Sequence, residues 1–347
     1  MARDMTKGRI LPQMTAFAIP LILGNLFQIL YNATDSIIVG KFVGDDALAA
    51  VGTAGPIMNM AILFISGMCM GAGILMSTLY GAKDMKNLEK QISTTLIGGL
   101  VFSLLIAFLM IVFAVPILRL INSPEEIIGS AAIYLRVVFL GLIFTFVYNF
   151  LANTLRALGD SRTPLYFLVI SAFLNVAGDL LFVVTLKLGV MGSAVATVLS
   201  EALCCVCCGI YVKLKVPVLC LGKKWRVFER RVLWKTFSYG ITSALQQMCV
   251  QLGKILVQAI INVQGVAFIA AFTAINRVDD FVLSPEGNIA HATTTFIAQN
   301  RGAGDVERVK KGYRCGIIME LIFSVAVSVI VFFAAAPLMK MFVAEDS

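Results

Sequence analysis

The chain has 347 residues, of which 59% are hydrophobic and 14% are charged, and its formal net charge is +8. Soluble domains usually carry about 25% charged residues and about half apolar residues, so this composition excludes a water-soluble protein. It also excludes disordered, collagen-like and disulfide-scaffold chains. The apolar segments lack the in/out alternation of membrane strands, which excludes a β-barrel. The composition therefore predicts an all-α, polytopic membrane protein.

Nine apolar segments are long enough to cross about 30 Å of hydrocarbon as helices. They cover residues 11–38, 47–79, 89–121, 127–155, 164–187, 190–214, 237–263, 267–299 and 309–342. If the N-terminus lies inside, twenty-one basic residues fall in the loops on that side and four on the other. Because basic loops stay in the cytoplasm, we expect a multi-pass protein of a bacterial plasma (inner) membrane with a cytoplasmic N-terminus. This orientation accounts for the positive charge, so no nucleic-acid partner is expected.

The sequence contains an internal repeat. Gly81-Ala82-Lys83-Asp84 returns 221 residues later as Gly302-Ala303-Gly304-Asp305, and residues 114–120 return as 335–341. Roughly 77 residues align in this way without a gap. The repeat unit holds six helices, an even number, so both copies have the same orientation in the membrane and form a parallel repeat.

The repeat predicts the domain organisation. We expect a six-helix N-lobe over residues 1–215, a cytoplasmic connector over 216–236, and helices 7–9 of a partial C-lobe over 237–347. A second unit of equal length would end near residue 436, so the repeat also predicts a C-terminally truncated chain with twelve helices in the complete form.

Ionisable residues within the membrane are costly and are functional candidates by default. In the first half, Asp35 lies in helix 1 and Asp179 in helix 5. Asn175 precedes Asp179 by four residues and so shares its helix face. Two carboxylates facing one dry cavity repel each other, and are expected to hold a proton or a hard cation. Further oxygen atoms for this site are available on neighbouring helices, from Thr197, Tyr134 and Asn149.

Other polar residues also lie in the predicted membrane segments. Glu201, Arg136 and Lys254 are interpreted as structural, near helix ends or in pairs. Helix 8 carries a dense polar cluster, which consists of Arg277, Asp279, Asp280, Glu286 and His291. So many polar residues must face the protein interior or a water-filled cleft. The cluster either lines a substrate path or forms internal ion pairs. Pro20 removes a helical hydrogen bond from helix 1 and, with Gly24, allows a hinge there.

The sequence contains few residues or motifs that are typical of a catalytic site. It contains no HExxH, GxSxG or P-loop motif and one histidine. Its eight cysteines show no metal-ligand spacing, and four of them are expected to act as small packing residues: Cys204, Cys205, Cys207 and Cys208. We therefore expect no enzyme, no catalytic residue, no metal site and no cofactor apart from a coupling ion.

At this point the chain resembles the multidrug and toxic compound extrusion (MATE) family of transporters over essentially its whole length. The resemblance rests on IPLILGNLFQILYNATDSIIVG around Asp35, NTLRALGDSRTP, NVAGD ending at Asp179, and FIAQNRGAGD. It implies two six-helix lobes forming a V, and export of cationic or amphipathic small molecules, by a monomer in the lipid bilayer, in exchange for protons or sodium.

The resemblance also assigns residues. It places Asp35, Asn175, Asp179 and Thr197 at the family's N-lobe cation site, with Tyr134 and Asn149 beside it. Some members carry a glutamate in helix 7, whereas this chain has Gln246, Gln247 and Gln251 there. Gln247 is therefore expected, like Arg277 and Asp280, to line a coupling or substrate cavity, and coupling is expected through the N-lobe.

Three other functions remain open from the sequence. A lipid-linked oligosaccharide flippase shares the architecture and would be favoured by a basic central cavity, for which Arg136, Lys254 and Arg277 are candidates. A membrane enzyme lacks motifs, and a non-transporting remnant is compatible with missing helices.

Overall fold

The computed structural model describes residues 4–121, 123–216, 227–262 and 285–340, and all regular structure in these ranges is helical. The predicted all-α fold is confirmed. The helices are α1 (Ile10–Phe42), α2 (Asp45–Gly81), α3 (Met85–Leu120), α4 (Glu125–Ala157), α5 (Arg162–Asp179), α6 (Gly189–Lys215), α7 (Arg230–Asn262), α8 (285–302) and α9 (Val306–Lys340). A π-helical turn, Leu180–Thr185, continues α5 without a break.

Seven helices in the described part of the chain are long and apolar enough to cross a membrane: α1 to α6, with α5 extended by its π-helical turn, and α9. Large apolar side chains on α3 stay exposed, including Val101, Leu104 and Phe108. In a membrane these side chains contact acyl chains. The predicted segment 237–263 falls mostly within α7, and part of the segment 267–299 lies outside the described residues.

The first six helices pack around α4. This helix contacts α2, α3 and α6, and its buried side chains, among them Leu135, Phe139 and Phe150, form the centre of the main hydrophobic core. Helix α5 packs on α6, and α1 packs on α5. This packing brings α1, α5 and α6 together, the three helices that carry the predicted cation site.

Helix α1 is a single helix through Pro20, which is buried. The hydrogen bond lost at Pro20 therefore does not end the helix, and the expected hinge there stays a prediction. A proline inside a helix removes one backbone hydrogen bond without necessarily ending the helix, because neighbouring helices in a membrane support the chain on both sides.

The two halves of the chain meet where α2 crosses α7. Small residues line this crossing at a spacing of four: Gly67 and Gly71 on α2 face Ala244 and Gly240 on α7. A Cβ atom built on Gly71 would lie 2.4 Å from the Gly240 amide nitrogen. Close crossings of this kind let membrane helices gain van der Waals contact along their backbones.

A second close crossing joins the C-terminal ends of α2 and α8. A Cβ atom on Gly81 would lie 1.8 Å from the Gln299 carbonyl oxygen, and one on Gly302 would lie 1.9 Å from the Thr78 carbonyl oxygen. Gly81 and Gly302 are equivalent positions of the sequence repeat, as are Thr78 and Gln299. The two contacts are therefore related by the approximate two-fold symmetry that a parallel repeat predicts.

This crossing lies at what we call the basic end of the bundle, which holds the N-terminal segment and the α2–α3, α4–α5 and α8–α9 turns. Met5 is buried here, and its backbone amide donates to Gln299 Oε1 at 3.0 Å. Arg308, at the start of α9, donates to the carbonyl oxygens of Met5 at 3.1 Å and Gly8 at 2.8 Å. Gln299 Nε2 also donates to the carbonyl of Ala157 in the first half at 2.8 Å. The basic end is thus sealed by contacts from both halves.

The start of α5 is fixed by Asp160, which is buried. Its Oδ1 accepts from the backbone amides of Arg162 and Thr163 at 3.2 and 3.1 Å, and its Oδ2 accepts from the Thr163 hydroxyl at 2.8 Å. Burial acts to raise the pKa of Asp160, but the hydrogen bonds from Thr163 outweigh it, and the net pKa lies below the ordinary value. The Asp160 carboxylate therefore stabilises the folded state when ionised.

Replacing this cap tests its contribution. Asp160→Ala is expected to lower the free energy of unfolding by about 1 kcal/mol, the usual cost of losing such a cap, whereas Asp160→Asn retains an oxygen acceptor and loses less. Because the folded pKa is lowered, the advantage of wild type over Asp160→Asn is complete above the unfolded pKa of about 4 and declines as the pH falls below it. Thermal unfolding of detergent-solubilised protein from pH 3 to 7 measures this. An Asp160→Asn deficit that is constant with pH would contradict it.

The close crossing of α2 and α8 makes a second prediction. Gly81→Ala places a methyl group against backbone, which cannot move aside cheaply, so the variant is expected to unfold several degrees below wild type. Gly55→Ala is the matched control, because it lies on the same helix and a Cβ atom there meets nothing within 4 Å. The unfolding temperatures of both variants are measured in detergent. Equal unfolding temperatures for Gly81→Ala and Gly55→Ala would show that α2 and α8 do not cross this closely.

Candidate cation site in the N-lobe

Polar residues from three helices meet in the interior of the N-lobe. Asp35 lies on α1, Asn175 and Asp179 lie on α5, and Thr197 lies on α6. The Asp35 and Asp179 carboxyl groups lie within hydrogen-bonding range of each other, and Asn175 Nδ2 donates to Thr197 Oγ1 at 3.2 Å. The structure therefore brings together all four residues of the predicted cation site. We call Asp35 and Asp179 the carboxyl pair.

Close packing of α5 on α6 determines this geometry. A Cβ atom on Gly178 would lie 3.0 Å from the Ala196 side chain, and one on Gly192 would lie 3.0 Å from the Phe182 backbone. With no side chains between them, the two helices approach closely, and Asn175 and Asp179 face α6 one turn apart.

The π-helical turn begins directly after Asp179. In it the Leu186 amide donates to the Leu181 carbonyl, five residues back, at 2.9 Å. Turns of this kind are rare and occur frequently at functional sites. Here the turn sets the direction of the chain as it leaves Asp179, and nothing in the sequence predicted it.

Several oxygen atoms at the site have no hydrogen-bond donor. Asn175 and Asp179 are 2% and 0% exposed. Asn175 Oδ1 and both carboxyl oxygens of Asp179 lack a donor among the described residues. Two carboxylate groups are both acceptors, so they bond to each other only with a proton between them. A buried, unpaired charge is very unfavourable. The arrangement is therefore stable with a proton or a cation between the acids.

Ser193 on α6 also belongs to the site, although sequence reasoning missed it. Its hydroxyl donates to Asp35 Oδ1 at 2.7 Å, and Ser193 is fully buried. Its position four residues before Thr197 places both hydroxyls on one helix face. That spacing is the signal that could have identified it.

Glu201 lies one turn beyond Thr197 and accepts a hydrogen bond from the Thr145 hydroxyl of α4. The sequence analysis expected Glu201 either near a helix end or in a pair. The first does not hold, because α6 spans Gly189–Lys215 and Glu201 is near its middle, whereas the hydrogen bond from Thr145 fits the second. Tyr134 of α4 is 3% exposed and lies close enough to the carboxyl pair and Glu201 to interact with them electrostatically. Tyr134 and Glu201 thus extend the polar region from the carboxyl pair toward α4.

Among the remaining candidates, those that the structure describes form no hydrogen bond with the carboxyl pair. Asn149 Nδ2 donates to the Thr145 carbonyl within α4 at 2.9 Å. Gln247 is half-buried on α7, which packs on α2 and α3 rather than on the helices of the site. Arg277 and Asp280 lie outside the described residues. Arg136 is exposed on α4, and its side chain donates to the Ile111 carbonyl at 3.4 Å.

The donor set limits what the site can bind. Within the described ranges no group of three or more His, Cys, Asp or Glu side chains is placed to hold a metal ion. Two carboxyl groups with amide and hydroxyl oxygens suit a proton or a hard cation, which prefers oxygen ligands.

Comparison with known proteins agrees with this fold. The family model MatE matches residues 20–181 and 242–347. The probable multidrug resistance proteins YoeA and YpnP of Bacillus subtilis (strain 168) are 30% and 31% identical to the chain. The matches cover 98% and 89% of the chain, and 75% and 69% of the two relatives.

A solved structure titled an outward-facing conformation of a multidrug resistance MATE family transporter of the MOP superfamily superposes with a TM-score of 0.89. It is 24% identical, and the match covers 99% of this chain and 76% of that one. The family model, the two Bacillus relatives and the helical fold agree, and the chain belongs to the MATE family of multidrug efflux transporters.

Proposed function

We propose that the chain exports cationic or amphipathic small molecules by alternating access, in exchange for a proton or sodium ion that binds the carboxyl pair. The observation that carries this proposal is Asp179, fully buried, facing Asp35, with no donor to either oxygen among the described residues. A site with unsatisfied acceptors in low dielectric gains much free energy when a positive species binds.

Exchange follows if the two ligands favour different states. A proton or cation on the carboxyl pair removes the cost of buried charge and favours tight packing of α1 against α5 and α6. A positively charged substrate competes for the same negative charge and favours the state that exposes it. Each ligand shifts the equilibrium only by its difference in affinity between the two states. The seal at the basic end fits the state in which the opposite end is open.

We further propose that the basic end faces the cytoplasm of a bacterial cell, since the loops there hold most of the basic residues. The chain is expected to work as a monomer, with the bilayer as its other partner. A lipid-linked oligosaccharide flippase is less well supported, because the polar interior of the N-lobe is acidic and Arg136, one of the bases proposed for that function, is exposed.

The carboxyl pair is tested by removing each charge in turn. Asp35→Asn and Asp179→Asn are each expected to lower dye efflux from proteoliposomes at least tenfold, because each variant removes one of the two carboxyl groups between which the proton or cation binds. Glu89→Gln is the matched control, since it also changes an acid to an amide and lies on the exposed surface of α3. Efflux is driven by a pH gradient in one series and by a sodium gradient in another.

Efflux driven by either gradient, and lost in both aspartate variants, supports the proposal and identifies the coupling ion. Aspartate variants that transport within twofold of wild type would contradict the role of the pair. Wild-type protein that is folded yet transports no dye under either gradient would contradict the transport proposal itself.

Alternating access also requires the basic end to open. Ala82 and Ala303 are equivalent positions of the repeat, adjacent to the crossing glycines, and both are exposed. In a background without other cysteines, a short bis-maleimide joining Ala82→Cys to Ala303→Cys is expected to stop efflux. Each single-cysteine variant, treated identically, serves as control and keeps its activity. Full efflux by cross-linked protein would show that the two helix ends do not separate during transport.

A further inference from the structure

A large cavity in the described structure is separate from the carboxyl pair. It has a volume of about 980 Å³ and lies between α2, α3, α4 and α7. Its walls are mainly apolar, with Met68, Phe102, Phe146, Leu233 and Phe237 among the lining side chains. The two halves of the chain both contribute to it, because α7 belongs to the second half. We call it the α3–α7 crevice.

The crevice opens toward the membrane. Val101 and Leu105 of α3 line it and are 64% and 53% exposed, and Trp234 of α7 lines it and is 73% exposed. Aromatic rings follow one another along the crevice: Phe102 lies 6.4 Å from Phe237 between ring centroids, and Phe237 lies 6.1 Å from Trp234. Such a surface is suited to hydrocarbon, and a tryptophan near the end of a membrane helix is typical of the lipid–water interface.

Two arginines stand at the basic end of this crevice. Arg230 and Arg231 are the first residues of α7, both line the cavity, and both are exposed. Among the described residues neither has an acidic partner within salt-bridge distance. The nearest acid in sequence, Glu229, pairs instead with Lys90 at 3.5 Å. The free positive ends of the α7 backbone amides add to the charge at this point.

Hydrogen bonds to α3 hold these arginines in place. The Val227 amide donates to Ser93 Oγ at 3.0 Å, and the Glu229 amide donates to Thr94 Oγ1 at 3.2 Å. Nearly two turns into α7, Thr236 Oγ1 accepts from Gln91 Nε2 at 2.5 Å. The chain entering α7 is therefore anchored on both sides of the arginines, and their backbone cannot drift away from the crevice.

From this geometry we propose that the α3–α7 crevice binds one anionic phospholipid from the leaflet at the basic end. The phosphate and the acidic headgroup contact Arg230 and Arg231, and an acyl chain lies along the aromatic wall. A cationic drug is disfavoured because two arginines with no acidic partner among the described residues repel it. A free phosphate ion would make no contact with the apolar wall. The site is independent of the coupling ion, so it does not rest on the proposed antiport.

Trp234 provides a direct probe of the crevice. The chain has two tryptophans, so Trp225→Phe leaves Trp234 as the single reporter. The full chain is reconstituted with dibrominated phosphatidylglycerol or dibrominated phosphatidylcholine, whose bromine atoms quench tryptophan fluorescence on contact. Half-maximal quenching is expected at a lower mole fraction of the anionic lipid than of phosphatidylcholine, by a factor of roughly five or more. The reason is that each basic residue near a membrane surface favours anionic lipid by about that factor.

Removing the two charges gives the second comparison. Arg230→Gln/Arg231→Gln is expected to bring the two lipids to within twofold of each other. The matched control, Lys310→Gln/Lys311→Gln, loses the same charge from exposed positions of α9 and keeps the preference. Native mass spectrometry of delipidated protein is expected to retain one phosphatidylglycerol, which the arginine variant loses.

Three outcomes would overturn the proposal. Equal quenching by both lipids in the reporter protein would show ordinary annular contact. Displacement of brominated phosphatidylglycerol by millimolar inorganic phosphate would show a site for a free anion. Loss of preference in the lysine control as well would show general attraction to the charged surface rather than a bound lipid.

Discussion

In hydrocarbon there is no water to satisfy a polar group, and this constraint explains most of the structure. Backbone groups satisfy it within helices, which is why long helices make up the regular structure in the described part of the chain. Side chains satisfy it by meeting one another inside a lobe, as Ser193 meets Asp35 and Thr145 meets Glu201. At the cation site, both carboxyl oxygens of Asp179 and Asn175 Oδ1 are exceptions, with no donor among the described residues. The proposed binding of a positive species would meet this requirement, since no donor among the described residues does so.

Glycine residues determine where two helices approach closely enough for their side chains and backbones to make these contacts. Between lobes, Gly71 and Gly240 allow α2 and α7 to touch along their backbones, and Gly81 and Gly302 do the same for α2 and α8. Within the N-lobe, Gly178 and Gly192 bring α5 onto α6. A transporter with two lobes needs contacts that are close and yet separable. Backbone contacts made without interlocking side chains satisfy both needs, since nothing must change rotamer for them to part.

The sequence predicted the parts of this structure that depend on the cost of polarity in lipid. Asp35 and Asp179 were identified because a membrane carboxylate is expensive, and the structure places them together. The i, i+4 spacing of Asn175 and Asp179 correctly predicted a shared face. The repeat predicted equivalent helix ends, and Gly81 and Gly302 meet as such. These inferences need only residue type, helical periodicity and offset.

The rest required tertiary information. The α5–α6 approach depends on which face Gly178 and Gly192 present, and periodicity alone does not give it. The pairing of Glu201 with Thr145 also required tertiary information, because the sequence does not show which residue of a neighbouring helix lies opposite Glu201. Pro20 was expected to allow a hinge in helix 1; α1 continues through it as one helix, and the hinge stays a prediction. The α3–α7 crevice arises between helices from different halves of the chain, which no local pattern records.

The π-helical turn after Asp179 stores one extra residue in the winding of the chain. Tightening it to ordinary α geometry would rotate everything beyond it by about 100° relative to the acid, the angle of one residue in an α-helix. The residues after the π-helical turn would then turn a different set of side chains toward α6, while Asp179 kept its position. A local change of helical winding at Leu180–Thr185 would therefore reorient the residues after the turn without moving the carboxyl pair.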